Sequence, residues 1–183
     1  MGDPRYDDAR ITGLALAAGA GDPAALADFV QATQRDVSCF VRYLCERDHV
    51  DDLVRKIYLH ALRALPSFTG RSPARIWLLS LARRVAAEAI RRPGTTTVEE
   101  GDTVATGNLA HRRPSLDEGG LLRQLITRLE PDRRGAFVLT QVLGLDYPAA
   151  AEVCDCPVGT IRTRVARARE DLVHAMYAPA PSS

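Results

Sequence analysis

The sequence predicts an all-α protein built as two small helical domains joined by a flexible linker. Three observations carry this prediction. Apolar residues recur at steps of three and four, with no sustained period-two alternation. Capping residues, prolines and glycines fall where such stripes begin and end. One stretch, PGTTTVEEGDTVATGNLAHRRPS at 93–115, carries no helical stripe, and a structureless loop of that length is unusual inside one compact domain.

The elements follow in chain order. A first helix is expected over Ile11 to Ala18, ended by Gly19 and Gly21. Asp22-Pro23 opens a long helix, with Asp as cap and Pro at its first position. Its stripe is Leu26, Phe29, Val30, Thr33, Val37, Phe40, Val41 and Leu44. A third helix begins after Asp48, carries Leu53, Ile57, Ala61, Leu62 and Leu65 on one side, and ends at Pro66. After a loop through Pro73, a fourth runs to about Arg92 with Leu78, Leu81, Ala82, Val85 and Ala89 inward. The expected first domain is therefore 1–92, the linker 93–115, the second domain 116–178, and 179–183 a disordered tail. Fully extended, the linker could reach about 75 Å.

In the second domain one helix carries Leu122, Leu125, Ile126 and Leu129. A second is capped by Pro131, carries Phe137, Val138, Val142 and Leu143, and ends at Gly144. A third runs from its cap, Asp146, to Cys154, and a fourth from Val158 to about Met176.

Composition narrows the function classes. Of 183 residues, 46% are apolar and 26% charged, which excludes wholesale disorder. Aromatics are 5%, so the core must rest on Leu, Val and Ala. No apolar run approaches the roughly 20 residues of a bilayer span, and the charged start MGDPRYDDAR lacks a signal core. A cytoplasmic protein without a membrane association is expected. Cys39, Cys45, Cys154 and Cys156 lack C-x-x-C spacing and read as small reduced thiols, not metal ligands. There is no nucleophile–base set, phosphate-binding glycine loop or metal cluster, so no enzyme and no cofactor is expected. Net charge is +1, from 24 basic and 23 acidic residues, and every basic residue but Lys56 is Arg. Arg suits phosphate and base-edge contacts, although GC-rich codon usage accounts for most of such a bias.

The chemistry concentrates in Tyr147 to Arg169, YPAAAEVCDCPVGTIRTRVARAR. A helix with Ala149, Ala150 and Ala151, a short turn and an Arg-rich helix form the pattern of a helix-turn-helix. Ile161, Val165, Ala168 and Leu172 step by four, three and four and face the core. The opposite face then holds Gly159, Thr163, Ala166 and Arg167. Thr163 and Arg167, with Arg162 close by, are candidates for reading base edges in a major groove. Arg164 and Arg169 lie at the sides, suited to phosphate contact or salt bridging at the core edge. A solvated helix pairing with Glu170 and Asp171 would account for Arg169 alone, but not for the coincidence of turn, small residues and basic face.

The fourth helix of the first domain is also basic, with Arg75, Arg83, Arg84, Arg91 and Arg92 against Glu88, and Arg71 just before it. Such a row can track a phosphate backbone. Phe68 in the preceding loop either holds an unstacked base or anchors the loop, while Trp77 reads as core packing.

These residues together resemble an extracytoplasmic-function (group 4) sigma factor of bacterial RNA polymerase, of the actinobacterial sigma-C type. The resemblance covers nearly the whole chain. It rests on Thr33-Gln34, Asp36-Val37, Asp51-Asp52-Leu53, the run Arg71 to Leu79 (RSPARIWLL), Leu139-Thr140-Gln141, Gly144-Leu145 and CPVGTIRTRVARAR. It implies that 1–92 is sigma region 2, which binds the polymerase clamp and opens the −10 element, and that 116–178 is region 4, which reads the −35 element. The implied −35 contacts are Thr160, Arg162, Thr163, Arg164 and Arg167. The implied −10 contacts are Phe68, Arg71, Ser72, Arg75, Arg83, Arg84 and Arg91. The implied polymerase contacts are Asp51, Asp52, Leu53, Arg55, Lys56 and Tyr58. Expected partners are the polymerase core (clamp and flap), promoter DNA and, as for many relatives, an anti-sigma factor. Two elements about 17 base pairs apart lie near 58 Å along the duplex at 3.4 Å per pair, which the linker could span.

One departure stands out. Where such factors usually continue Asp-Asp-Leu with Gln-Glu and an aromatic, this chain has Arg55 and Lys56, with Tyr58 near the aromatic slot. Like charges across an interface can cost several kcal/mol. A second reading is therefore a divergent sigma-like DNA-binding regulator with a weak or altered clamp contact. A third, a decoy for an anti-sigma factor, would not need the basic recognition face. Arg84, where relatives often have Asn, is a lesser departure.

Overall fold

The computed structural model describes residues 7–45, 49–91 and 119–177. The expected linker, the tail, Asp48 and Arg92 lie outside them. The described residues form eight α-helices and no strand. No helix among them is long and apolar enough to cross a membrane.

Helix α1 spans Asp8–Gly19, α2 Pro23–Leu44, α3 Val50–Ala64 and α4 Ala74–Arg91. α1 begins three residues before the apolar pattern does, because the Asp7 carboxylate accepts the Arg10 amide hydrogen at 3.1 Å and caps it. Asp22 caps α2 as expected, accepting from the amides of Ala24 and Ala25 at 2.9 and 3.1 Å. Phe29, Val37, Phe40 and Val41 of α2 meet Leu53, Ile57 and Ala61 of α3 in one core. α3 tightens into a 3-10 turn at Leu65–Ser67, around Pro66. The first amide of α4, Ala74, donates to the Thr12 hydroxyl of α1 at 3.0 Å, so a helix-end donor is met from another helix.

Gly19 shows why α1 can lie so close to that turn. A Cβ there would sit 2.4 Å from the Leu65 carbonyl oxygen, so the two backbones touch.

In the second domain α5 spans Gly119–Arg128, α6 Pro131–Phe137, α7 Tyr147–Cys154 and α8 Val158–Tyr177. The cap of α6 is Glu130, one residue before Pro131, accepting from Asp132 and Arg133. α6 runs into a π-turn at Val138–Val142, where the Leu143 amide donates to the Val138 carbonyl, five residues back. The extra residue per turn shifts the phase of the stripe. Val138, Leu139, Thr140 and Leu143 are buried, whereas Val142, expected inside, is 37% exposed. Leu122, also expected inside, is 48% exposed, because α5 buries only Leu125 and Ile126 before Leu129. Asp146 caps α7, and Asp155 ends it in the left-handed conformation (φ 50°), with the Cys156 amide donating to the Ala151 carbonyl. Ile161, Val165, Ala168 and Leu172 of α8 are all buried, as their spacing requires.

The two domains are in contact. α7 packs on α4, and α2 is met by α5, α6 and the π-turn. Beside its inward face, α4 buries a second stripe of Arg75, Leu79, Ala82 and Ala86 at steps of four, three and four. The Arg75 guanidinium, expected to face DNA, is 5% exposed. Its Nε donates to Asp36 at 2.6 Å and its Nη2 to the Leu143 carbonyl of the second domain at 2.8 Å. Two further arginines reach the other way. Arg123 and Arg134 donate to the carbonyls of Arg42 and Tyr43 at 3.3 and 3.2 Å, in the last turn of α2. Those carbonyls lack helical partners, and cations favour that helix end.

All four cysteines are free thiols. Burial pushes Cys45 and Cys154 up to about 11 from an ordinary 9.0, and Cys39 upward as well. The raised value favours the neutral thiol, so its stabilising contribution is whole below pH 9 and is lost as pH rises towards 11.

Two predictions follow from this packing. Gly19→Ala must push α1 off the Leu65 backbone, and urea unfolding should show a loss of about 1–3 kcal/mol; an unchanged midpoint would mean the contact is not made. At pH 8, iodoacetamide should alkylate Cys45 and Cys154 about 100-fold more slowly in the folded chain than in urea, following the thiolate fraction. Equal rates would show that neither thiol is buried.

Candidate nucleic-acid interface

The basic face of α8 is formed by default. Once Ile161, Val165, Ala168 and Leu172 turn inward, the helix has to present Arg162, Thr163, Ala166 and Arg167 to solvent, and all four are exposed. The Thr163 hydroxyl donates to the Gly159 carbonyl at 3.1 Å, which fixes its rotamer and leaves its lone pairs outward. Thr160 is half-buried. Arg169, at the side, donates to Gln141 at 2.8 Å.

Arg164 takes the second of its two expected roles in this structure. Its guanidinium is half-buried, bonded to the Asp132 carboxylate at the start of α6, and near the Cys156 sulfur at 3.6 Å. The other oxygen of the same carboxylate lies 3.8 Å from Arg83 Nη2 on α4. One aspartate therefore stands between an arginine from each domain. Arg133 pairs with Asp171 at 2.7 Å and ties α6 to α8.

The basic residues of α4 divide between two faces. Arg75 and Arg83 belong to the stripe turned toward the second domain. Arg84 and Arg91 are exposed on another side, in register with Trp77 at steps of seven. Trp77 is half-buried, its ring 5.0 Å from that of Phe68 at 41°, so Phe68 anchors its loop on Trp77. The two rings, with Ala64, Ser67, Thr69, Arg71 and Ser72, line a cleft of about 210 Å³. Arg71 is exposed at this cleft, and the Ser72 hydroxyl is buried there without a hydrogen-bond partner among the described residues.

The expected polymerase contacts also divide. Asp51, Asp52 and Arg55 are exposed on α3 and Lys56 is half-buried, whereas Leu53 is a core residue. Tyr58 is turned inward: its hydroxyl meets Thr33 of α2 at 2.9 Å. Thr33 donates its own proton to the Phe29 carbonyl at 2.7 Å, so Tyr58 is the donor. Burial raises the tyrosine's pKa far above its ordinary value of 10.0.

Sequence reasoning gave no role to Asp132, Arg123 or Arg134, which the structure places between the domains. Asp132 reads as a first-turn acid beside a proline, a signal that cannot report what lies across a domain boundary.

Residues 29–95 match the family Sigma-70 region 2, and residues 120–172 match Sigma-70, region 4. The chain is 46% identical over 171 residues to the ECF RNA polymerase sigma factor SigC of Mycobacterium tuberculosis, covering 91% of each. It is 34% identical over 164 residues to the ECF RNA polymerase sigma-E factor of Escherichia coli, covering 82% of this chain and 85% of that one. Among solved structures, CnrH in complex with the cytosolic domain of CnrY shares the fold, with a TM-score of 0.74 at 23% identity over 93% of this chain and 99% of that one. The sigma factor RpoE of Bartonella quintana, solved with the anti-sigma factor NepR, gives a TM-score of 0.64 at 25% identity over 82% and 96%. With a region 2 domain that carries the cleft and a region 4 domain that carries the basic helix α8, the chain belongs to the extracytoplasmic-function sigma factors of RNA polymerase.

Proposed function

We propose that this sigma factor directs polymerase to promoters through two separate surfaces. Arg162, Thr163 and Arg167 on α8 read base edges of the −35 element, with Thr160 at the margin of the face. The Phe68–Trp77 cleft takes an unstacked base of the −10 strand, with the Ser72 hydroxyl as the polar group that would meet it. Arg71, Arg84 and Arg91 follow the phosphates of that strand, since they are exposed on the same side. Opening costs a few kcal/mol per flipped base, which these contacts and the polymerase together must offset. The clamp surface is the outer side of α3: the exposed Asp51, Asp52 and Arg55, with the half-buried Lys56 at its margin.

The observation that carries this reading is the solvent-facing set Arg162, Thr163 and Arg167, displayed on a helix whose opposite side is sealed into the core. An anti-sigma factor is a proposed partner, supported by the Bartonella relative solved with one. The proposed site of action is the cytoplasm, where the template is.

A second reading, a regulator with a weak or altered clamp contact, is favoured by one observation: Arg55 is exposed where relatives usually carry an amide. Run-off transcription with core polymerase separates the two. The wild-type chain should give transcripts from a two-element promoter above core alone. If only the Arg55→Gln, Lys56→Glu double variant does so, the second reading holds.

The reading set has its own signature. Arg167→Ala should lose about 1–3 kcal/mol of discrimination at one position of the −35 element. Arg84→Ala should weaken binding evenly across sequences and flatten the salt dependence. Competition binding against a library of −35 variants measures both. A uniform loss for Arg167→Ala would remove it from the base-reading set.

A further inference from the structure

We propose that α1 braces the loop between α3 and α4, with Thr12 and Leu16 as positioning residues that hold the Phe68–Trp77 cleft in the shape that takes a base of the −10 strand. The inference rests on the reading of that cleft given above. It assigns the support of the cleft to a helix that lies ahead of the residues matching region 2.

Two faces of α1 are engaged. Ile11 and Ala15 are buried in the core. Thr12, Leu16 and Gly19 step by four and three along a neighbouring face, and each meets the loop segment at a different point. At the start of the segment, Gly19 lies against the Leu65 carbonyl, where a Cβ would stand 2.4 Å from the oxygen. In the middle is Gly70, whose φ of 71° is a glycine conformation. A Cβ there would lie 3.4 Å from Leu16 Cδ1 and 3.7 Å from Thr12 Cγ2, so both side chains come within van der Waals reach of the loop. At the end, the Ala74 amide donates to the Thr12 hydroxyl at 3.0 Å. One helix therefore holds the segment at both ends and in the middle. Leu16 is 43% exposed, and the contact with Gly70 gives that large apolar side chain a use.

The Thr12 hydroxyl is set up as an acceptor, because its own proton goes to the Asp8 carbonyl at 2.6 Å. Ala74 begins α4, and its amide is one of the donors that a helix start leaves without an internal partner. The cleft hangs on this cap. Trp77 is the next turn of α4, its amide bonded to the Pro73 carbonyl at 3.0 Å, and its ring meets that of Phe68. Ser72, the polar group of the cleft, stands two residues before the capped amide. A shift at Ala74 moves the wall of the cleft and its hydroxyl together. Neither Thr12 nor Leu16 lines the cleft, so both act through the loop.

The test uses the full chain in three variants. Thr12→Val removes the hydroxyl and Thr12→Ser restores it. Leu16→Ala leaves no amide unpaired and carries the test should Thr12→Val fail to fold. Trp77 is the single tryptophan of the chain, so its fluorescence reports the cleft directly. Acrylamide quenching of Trp77 should rise in Thr12→Val and Leu16→Ala and stay at the wild-type level in Thr12→Ser. Each variant is then joined to core polymerase and competed against promoters varied in the −10 or the −35 element. Thr12→Val should lose about fivefold in discrimination within the −10 element, the worth of one hydrogen bond, and none within the −35 element. Thr12→Ser should recover it.

Equal losses at both elements would mark Thr12 as a stabilising residue only and overturn the proposal. So would a Thr12→Ser variant no better than Thr12→Val, or Trp77 quenching that no variant changes. Failure of the underlying reading looks different: the wild-type holoenzyme itself would not distinguish −10 variants, and a brace for base recognition falls with it.

Discussion

A buried guanidinium sets the terms for the rest of this structure. Arg75 sits in the first turn of α4, 5% exposed, with its charge balanced by Asp36 and one fork of its donors spent on the Leu143 carbonyl. Removing one partner of such a pair typically costs roughly 3–5 kcal/mol, because the remaining charge is stranded away from water. Asp36 is therefore required wherever Arg75 is covered. Asp8, whose carboxyl burial pushes up while Arg75 draws it down, belongs to the same electrostatic neighbourhood. The coverage itself comes from the second domain. The Leu143 carbonyl contact is a charge-assisted hydrogen bond across the domain boundary, and it lies beside the apolar stripe of Leu79, Ala82 and Ala86 that α4 buries.

This explains which parts of the fold were legible from sequence. Helix starts were legible where the capping chemistry is local: Asp22 before Pro23, and Asp146 before α7. The core stripe of α8 was legible because its period is unbroken from Ile161 to Leu172. Two misreadings share one cause. The π-turn inserts an extra residue into the helical count, so Val142 rotates outward and Leu139 inward, and no residue type announces that insertion. The second buried stripe of α4 was also hidden, since Arg75 and Ala86 look like surface until another helix is laid on them. Burial that depends on a distant segment leaves no periodic trace of its own.

The candidate sites follow the same division. The exposed basic face of α8 could be deduced by exclusion, because the apolar stripe determines what is left. Which arginines on α4 are exposed could not, because Arg75, Arg83, Arg84 and Arg91 are chemically identical and differ only in angle around the helix. Tyr58 shows a further limit. The resemblance to sigma factors implied a partner-facing ring, yet Thr33, one helix away, offers its hydroxyl an acceptor and draws it inside. The pairing depends on α2 and α3 lying side by side, which the pattern of either helix alone does not encode.

The near-exclusive use of arginine gains a physical meaning in this light. Composition alone could be put down to codon usage, and for many exposed positions that suffices. At the domain boundary it does not. Arg75 spans an aspartate and a carbonyl at once through two different nitrogens, and Arg134 serves the Tyr43 carbonyl through Nη1 while its Nε and Nη2 hold the Leu129 carbonyl of its own domain. An ammonium is a point charge without that planar fork and is more strongly hydrated, so lysine would give up more on burial and bridge less well. The same fork is what a phosphate diester selects.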